Sequence, residues 1–187
     1  VVMEPLLGER LVNPPAVVQA IWDSDGRGRT PAEWGFDWLW NKPQVTVALS
    51  GMSTMQQVEE NIASASRSGT NILSEADLAL VARVRDQYQQ LCPIPCTDCK
   101  YCMPCPNGVN IPHNFGMFNN GAMYDKWEDS RKWYTGGRFP EAERASACIQ
   151  CRECEDKCPQ KIEISQWMPY VHQVLGEGKP HEQGVCP

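Results

Sequence analysis

No apolar run in the sequence approaches the roughly 18 to 20 residues of a membrane helix, so no membrane partner is expected. Positive charge is also in short supply. Lys and Arg number 17 against 23 Asp and Glu, a net charge of -6 with a pI near 5.1, and nucleic acid or an anionic surface would need the opposite balance. No segment has the apolar core and small-residue cleavage site of a secretory signal. Histidine is scarce: His113, His172 and His181 are the only three. A neutral imidazole can ligate metal, but lone histidines are expected here to be hydrogen-bonding or surface residues. Even the ten cysteines amount to only about 5% of the chain, below the level of a disulfide scaffold. A reducing, cytoplasmic setting in which thiols stay free for metal is the expectation.

What the chain does have is one cysteine phrase written twice. Cys96, Cys99, Cys102 and Cys105-Pro106 form the first copy, and Cys148, Cys151, Cys154 and Cys158-Pro159 the second. The echo runs on past the cysteines, with Val109 and Ile111 placed after Pro106 as Ile162 and Ile164 are after Pro159. Two-residue gaps let a backbone curl around a 4Fe-4S cube whose irons each need a thiolate. The proline removes an N–H and turns the chain away, and the apolar pair is expected to shield the cube from water. Zinc is the chemical rival, but its sites need two Cys pairs apart, and a third cysteine at the same short interval is surplus. Disulfides remain the alternative that any cysteine-rich chain raises.

The second copy resembles the bacterial ferredoxin run, in which three close thiolates wrap one cube and the fourth ligates the other. That resemblance implies crossed ligand sets: Cys96, Cys99, Cys102 with Cys158, and Cys148, Cys151, Cys154 with Cys105. The first copy closes after two residues, Met103 and Pro104, instead of three. Cys92-Pro93 imitates the closing pair and could replace Cys105, while Cys186 reads as a free tail thiol.

Before the cysteines, helical patterns dominate. Thr30-Pro31-Ala32-Glu33 is a capping box with Pro at the first helical position, opening a helix to about Asn41 that carries Trp34, Trp38 and Trp40 as core. Ser53 or Thr54 caps a second helix to about Ser66, with Val58 and Ile62 as its apolar stripe. Ser74 caps a third through Leu91, with Leu78, Val81 and Val84 facing inward. Val45 to Leu49 alternates as a strand, with a second stub at Val1 to Met3, so the order reads βαβα and asks for a parallel sheet. After the first cysteine run, helices are expected at 114–120, 125–133, 141–148 and 164–175, the last with Trp167, Val171 and Val174 inward. The alternating charges between Asp125 and Arg144 read as a solvated face.

Met3-Glu4-Pro5-Leu6, the helix from Ala32 to Leu39, the run Leu49-Ser50-Gly51-Met52-Ser53-Thr54 and the helix Gln57-Val58-Glu59-Glu60-Asn61 resemble the last two β/α units of an aldo/keto reductase barrel. The segment Tyr101 to Val109 resembles the iron-sulfur extension of one branch of that family. The resemblance implies residues 1–91 as the end of a (β/α)8 barrel and 92–187 as an α-helical dicluster domain. It further implies NADP(H) contacts at Gly51, Met52, Ser53, Thr54, Gln57, Glu60 and Asn61. A helix N-terminus there would offer N–H groups to phosphate. The family's catalytic residues would precede residue 1, so this chain carries none. A barrel needs eight strands and about 250 residues, and the expectation is a piece of a longer reductase that exposes apolar surface over its first 90 residues.

Function is therefore expected to be electron transfer through two 4Fe-4S clusters, coupled to an NADP(H)-linked barrel. The partner would be a redox protein or the absent barrel segment. The alternatives are a stand-alone electron carrier or docking subunit, and a domain in which metal only staples the fold.

Overall fold

Thr30 opens a helix of the first 88 residues as its pattern predicts. Its side chain accepts from the Glu33 N–H at 3.2 Å and the Glu33 carboxylate accepts from the Thr30 N–H at 2.8 Å, closing both halves of the capping box. In a computed structural model of the protein, which describes residues 1–182, the chain divides into two units, Val1–Tyr88 and a second starting at Gln89.

The first unit holds α1 (Ala16–Asp23), α2 (Pro31–Trp40), α3 (Met55–Ser66) and most of α4 (Glu75–Leu91). The expected sheet does not form. Among the described residues the only β pairing is a parallel bridge between Val2 and Ala48, with Val2 N donating to Val47 O at 2.8 Å and Leu49 N to Val2 O at 2.9 Å. A lone pair of short strands has no third strand to share its ladder and no layered cover, so it stays a bridge. The fold is mostly helical, and the α/β barrel reading has no sheet behind it.

Helix α1 is absent from the sequence pattern because Val17-Val18 is β-branched and its N-cap, Pro15, contributes no side-chain bond. It forms because Val18 and Trp22 are buried, Trp22 stacking on Trp34 at 5.2 Å. Of the three tryptophans expected as core on α2, only Trp34 is fully buried; Trp38 is exposed beneath the Lys42 ammonium, and the core places go to Phe36 and Leu39. On α4 the inner face is Asp77, Leu80 and Val84, not Leu78, and on α3 Ile62 is exposed while Ser64 is the buried residue. Both shifts follow from a unit whose apolar contacts are few. Val1, Met3, Leu49, Met52, Met55 and Ile62 all face solvent.

Polar ties compensate. Asp77 sits under the start of α4, accepting from the Ser74 N–H at 2.9 Å and hydroxyl at 2.7 Å, and it pairs with Arg27. Burial pushes its carboxyl up, but Arg27 and Ser74 outweigh this and hold it at about 2. Arg67 on the far side of α3 pairs with Glu33 of α2 at 2.7 Å.

The second unit contains α5 (Ile111–Tyr124), α6 (Trp127–Thr135) and α7 (Ile164–Leu175), packed on one another. The core is Ile94, Val109, Phe115, Phe118, Tyr134, Trp167, Met168 and Val171, with Phe118 set edge-on to Trp127 and Trp167 at 5.4 and 5.7 Å. The inward set expected on α7 is buried as written. The helix expected over 141–148 is instead two 3-10 turns, Glu141–Glu143 and Ala145–Ala147, broken at Arg144, whose backbone is extended. Its guanidinium donates to Thr135 O and Phe139 O, both at 3.1 Å, which fixes the chain there and redirects it toward Cys148. Arg131 likewise donates to Val174 O at 2.9 Å. The charges of this stretch are therefore partly structural and not simply a solvated face. No helix among the described residues is long and apolar enough to cross a membrane.

Candidate iron-sulfur site

The doubled phrase is doubled in the backbone as well. Asp98 and Gln150, each two residues into its run, have φ of 53° and 58°; Lys100 and Arg152 follow at 64° and 67°. Gly108 and Lys161, three residues past the closing cysteines, repeat it at 78° and 54°. Left-handed residues alternating with ordinary ones curl a loop so that successive N–H groups face its concave side, the kind of nest that receives anions and iron-sulfur sites. The N–H of Gln150 donates to Cys148 Sγ at 3.4 Å, and the Asp98 N–H donates in the same way to Cys96. Non-glycine residues in this region carry a steric cost, which the repeat accepts four times in the two cysteine loops.

Two buried asparagines of α5 bring these loops together. Asn119 pairs in both directions with Ile94, accepting from its N–H at 3.1 Å and donating to its carbonyl at 2.7 Å, and so holds the strand of chain that enters the first run. Asn114 donates to Asn110 O and Glu143 O, both at 2.8 Å, and accepts from the Ala145 N–H at 2.9 Å, holding the approach to the second. Neither was visible as a site residue in the sequence; an Asn pair inside an otherwise apolar helix (Ile111, Phe115, Phe118) is the signal that could have marked them. The second loop is also docked on α7: Gln150 donates to Ser165 O at 3.0 Å, and the Ser165 N–H donates to the Glu155 carboxylate at 2.7 Å.

The thiols fall into two groups, each drawing from both runs. Cys96, Cys99, Cys102 and Cys158 line one recess, whose apolar wall includes Ile111, Phe115, Ile162 and Ile164. Burial pushes the Cys96 thiol up, the Asp98 N–H partly offsets it, and Asp98, Cys158 and Cys99 lie close enough to push it further. Cys102 is raised by burial and then by Cys96, Cys99 and Cys158. In the second group Cys148 is raised by burial and by Cys105, Cys151 and Glu155, while burial, followed by Glu155, Cys148 and Cys102, pushes Cys154 up to about 12. Cys102 and Cys154 are thus the neighbours through which the groups meet. Within each group one thiol, Cys99 or Cys151, is exposed, whereas Cys102 and Cys158 are buried.

This donor set fits cubes. Raised thiols convert to thiolates when a cation takes the place of the proton. Among the described residues no three Cys, His, Asp or Glu converge on a single ion. A cube makes a different demand, one thiolate per iron around a larger body. All nine described cysteines are free thiols. Cys92 turns its Sγ to Ile94 O at 3.3 Å and lies near Cys96, whereas Cys105 is beside Cys148. Cys186 lies outside the described residues. His113 leans on Phe139 at 4.8 Å, and His172 and His181 bond the hydroxyls of Tyr134 and Tyr170, both at 3.0 Å.

The residues implied for NADP(H) stay near one another at the start of α3, but their donors are engaged locally. Gln57 Oε1 accepts from the Ser53 N–H at 2.7 Å and the Thr54 N–H at 3.3 Å, Thr54 Oγ1 accepts from the Gln57 N–H at 3.2 Å, Asn61 donates to Ser50 at 3.1 Å and Glu60 accepts from Gln56. Gly51 and Met52 are exposed.

The family described as a 4Fe-4S dicluster domain matches residues 95–163, a span that takes in all eight cysteines of the two runs. No curated protein and no solved structure matches the chain. The family match supports a 4Fe-4S dicluster ferredoxin domain at residues 95–163. None of the comparisons reaches the first 94 residues, and they lend the aldo/keto reductase resemblance no support.

Proposed function

We propose that the second unit carries two 4Fe-4S clusters, one on Cys96, Cys99, Cys102 and Cys158, the other on Cys148, Cys151, Cys154 and Cys105, and that it passes single electrons between redox partners. The observation that carries this reading is the crossing of the runs: Cys158 lies with the first group and Cys105 with the second. One-electron exchange is the chemistry a cube supplies when bound. The chain's own part is to shield, connect and expose. Val109, Ile111, Ile162 and Ile164 keep water from the inner sides, Cys102 and Cys154 bring the sites close, and Cys99 and Cys151 present an outer edge to a partner.

Serine replacements in the anaerobically reconstituted full chain test the crossing. Cys105→Ser is expected to alter the same electron paramagnetic resonance signal as Cys151→Ser, and Cys158→Ser the same one as Cys99→Ser. Pairing of Cys105 with Cys99 instead would make each run its own site.

A wider setting, in which these clusters serve an NADP(H)-linked aldo/keto reductase-type barrel completed by another segment, rests on the sequence resemblance alone, to which the lone parallel bridge Val2 to Ala48 adds no sheet. A fluorescence titration of the chain with NADPH tests its nucleotide part. Saturable binding lost in Thr54→Ala would favour it, and no binding would favour the stand-alone carrier.

A further inference from the structure

The internal repeat makes each cluster the control for the other, and after the third cysteine the copies diverge: Met103 follows Cys102, whereas Glu155 follows Cys154. Glu155 is half-buried and fixed by the Ser165 N–H at 2.7 Å, with Cys148 and Cys154 as its electrostatic neighbours. Resting on the reading above, we propose that Glu155 is a positioning residue for the reaction, a fixed negative charge that lowers the reduction potential of the cluster held by Cys148, Cys151, Cys154 and Cys105 and leaves the other untouched. Net charge beside a cluster is one of the settings of its potential, because an added electron must be accommodated next to it.

The second run also carries Glu153, Asp156 and Lys157, but all three are exposed, where water and salt screen them, and Glu155 is not. Each loop gives its first thiol one backbone N–H, from Asp98 or Gln150, and each presents one exposed thiol, so these contributions match. Lys100 and Arg152 occupy equivalent, exposed positions. Asp98 is the one acid on the first loop near a thiol. It is exposed, where water and salt screen it, whereas Glu155 is part-buried and fixed by the Ser165 N–H. Screening decides between them in favour of Glu155.

Glu155→Gln tests this with little structural change, since the amide oxygen can still accept from Ser165. In the reconstituted full chain, potentiometric titration with dithionite as the one-electron reductant, followed by electron paramagnetic resonance, is expected to show one couple moving upward. The expected size is on the order of tenfold in its equilibrium constant, about 59 mV for a one-electron couple, with the other couple unmoved. The couple that moves is the one altered by Cys151→Ser. Met103→Glu, which writes the carboxylate into the first copy, is expected to lower the opposite couple, and it serves as the test if the Gln variant loads poorly. Two couples that stay put in both variants, or that move together, overturn the proposal while the two-cluster reading stands; a chain that loads no cluster overturns both.

Discussion

Cys105 and Cys158 each close their own run and each lie with the thiols of the other, so single residues carry most of this domain's logic. Their placement depends on Asn114 and Asn119, which are buried and pair with backbone groups on the way into each run. Removing either leaves peptide groups unpaired in an apolar core. Asn119→Ala is expected to cost about 3 kcal/mol and Asn114→Ala a similar amount, read as lowered urea midpoints of the full chain. Asn114→Ala should further slow loading of the cluster on Cys148 more than the other. In the first unit the sensitive residue is Asp77. Its carboxyl is held at about 2 in the folded chain, below its ordinary value near 4, so its contribution of about 1 to 2 kcal/mol is complete above that ordinary value and is lost as pH falls from about 4 to about 2. Amide exchange in α4 should accelerate across that window, and Asp77→Asn should flatten the pH dependence.

At the scale of elements, what could be read was what is encoded locally. The capping box at Thr30, a cap at Ser53 or Thr54, and the helix from Ile164 needed only short-range bonds and periodicity, and the structure places the second cap at Thr54. Thr30→Ala is expected to destabilise α2 by about 1 kcal/mol, visible as a loss of helical circular dichroism on mild heating. Elements set by distant partners were not legible. Helix α1 depends on Trp22 meeting Trp34, the break at Arg144 depends on carbonyls of residues 135–139, and the strand at Val45 to Leu49 lacked a sheet to join. The site shows the same division. Spacing named all eight cysteines now gathered in the two groups, but the nest geometry, the two asparagines and Glu155 emerge only when loops and helices are brought together.

At the scale of the whole molecule, two units differ in what holds them. The second has a continuous apolar core that runs up to the cysteine loops, and the first relies on capping, ion pairs and a few stacked aromatics while leaving apolar side chains in solvent. The central claim belongs to the second unit and is tested most directly by metal and sulfide analysis of the anaerobically purified full chain. The account predicts a brown protein with about eight iron and eight acid-labile sulfide per chain, bleached by dithionite. A colourless protein holding stoichiometric zinc, with no absorption near 400 nm, would contradict it.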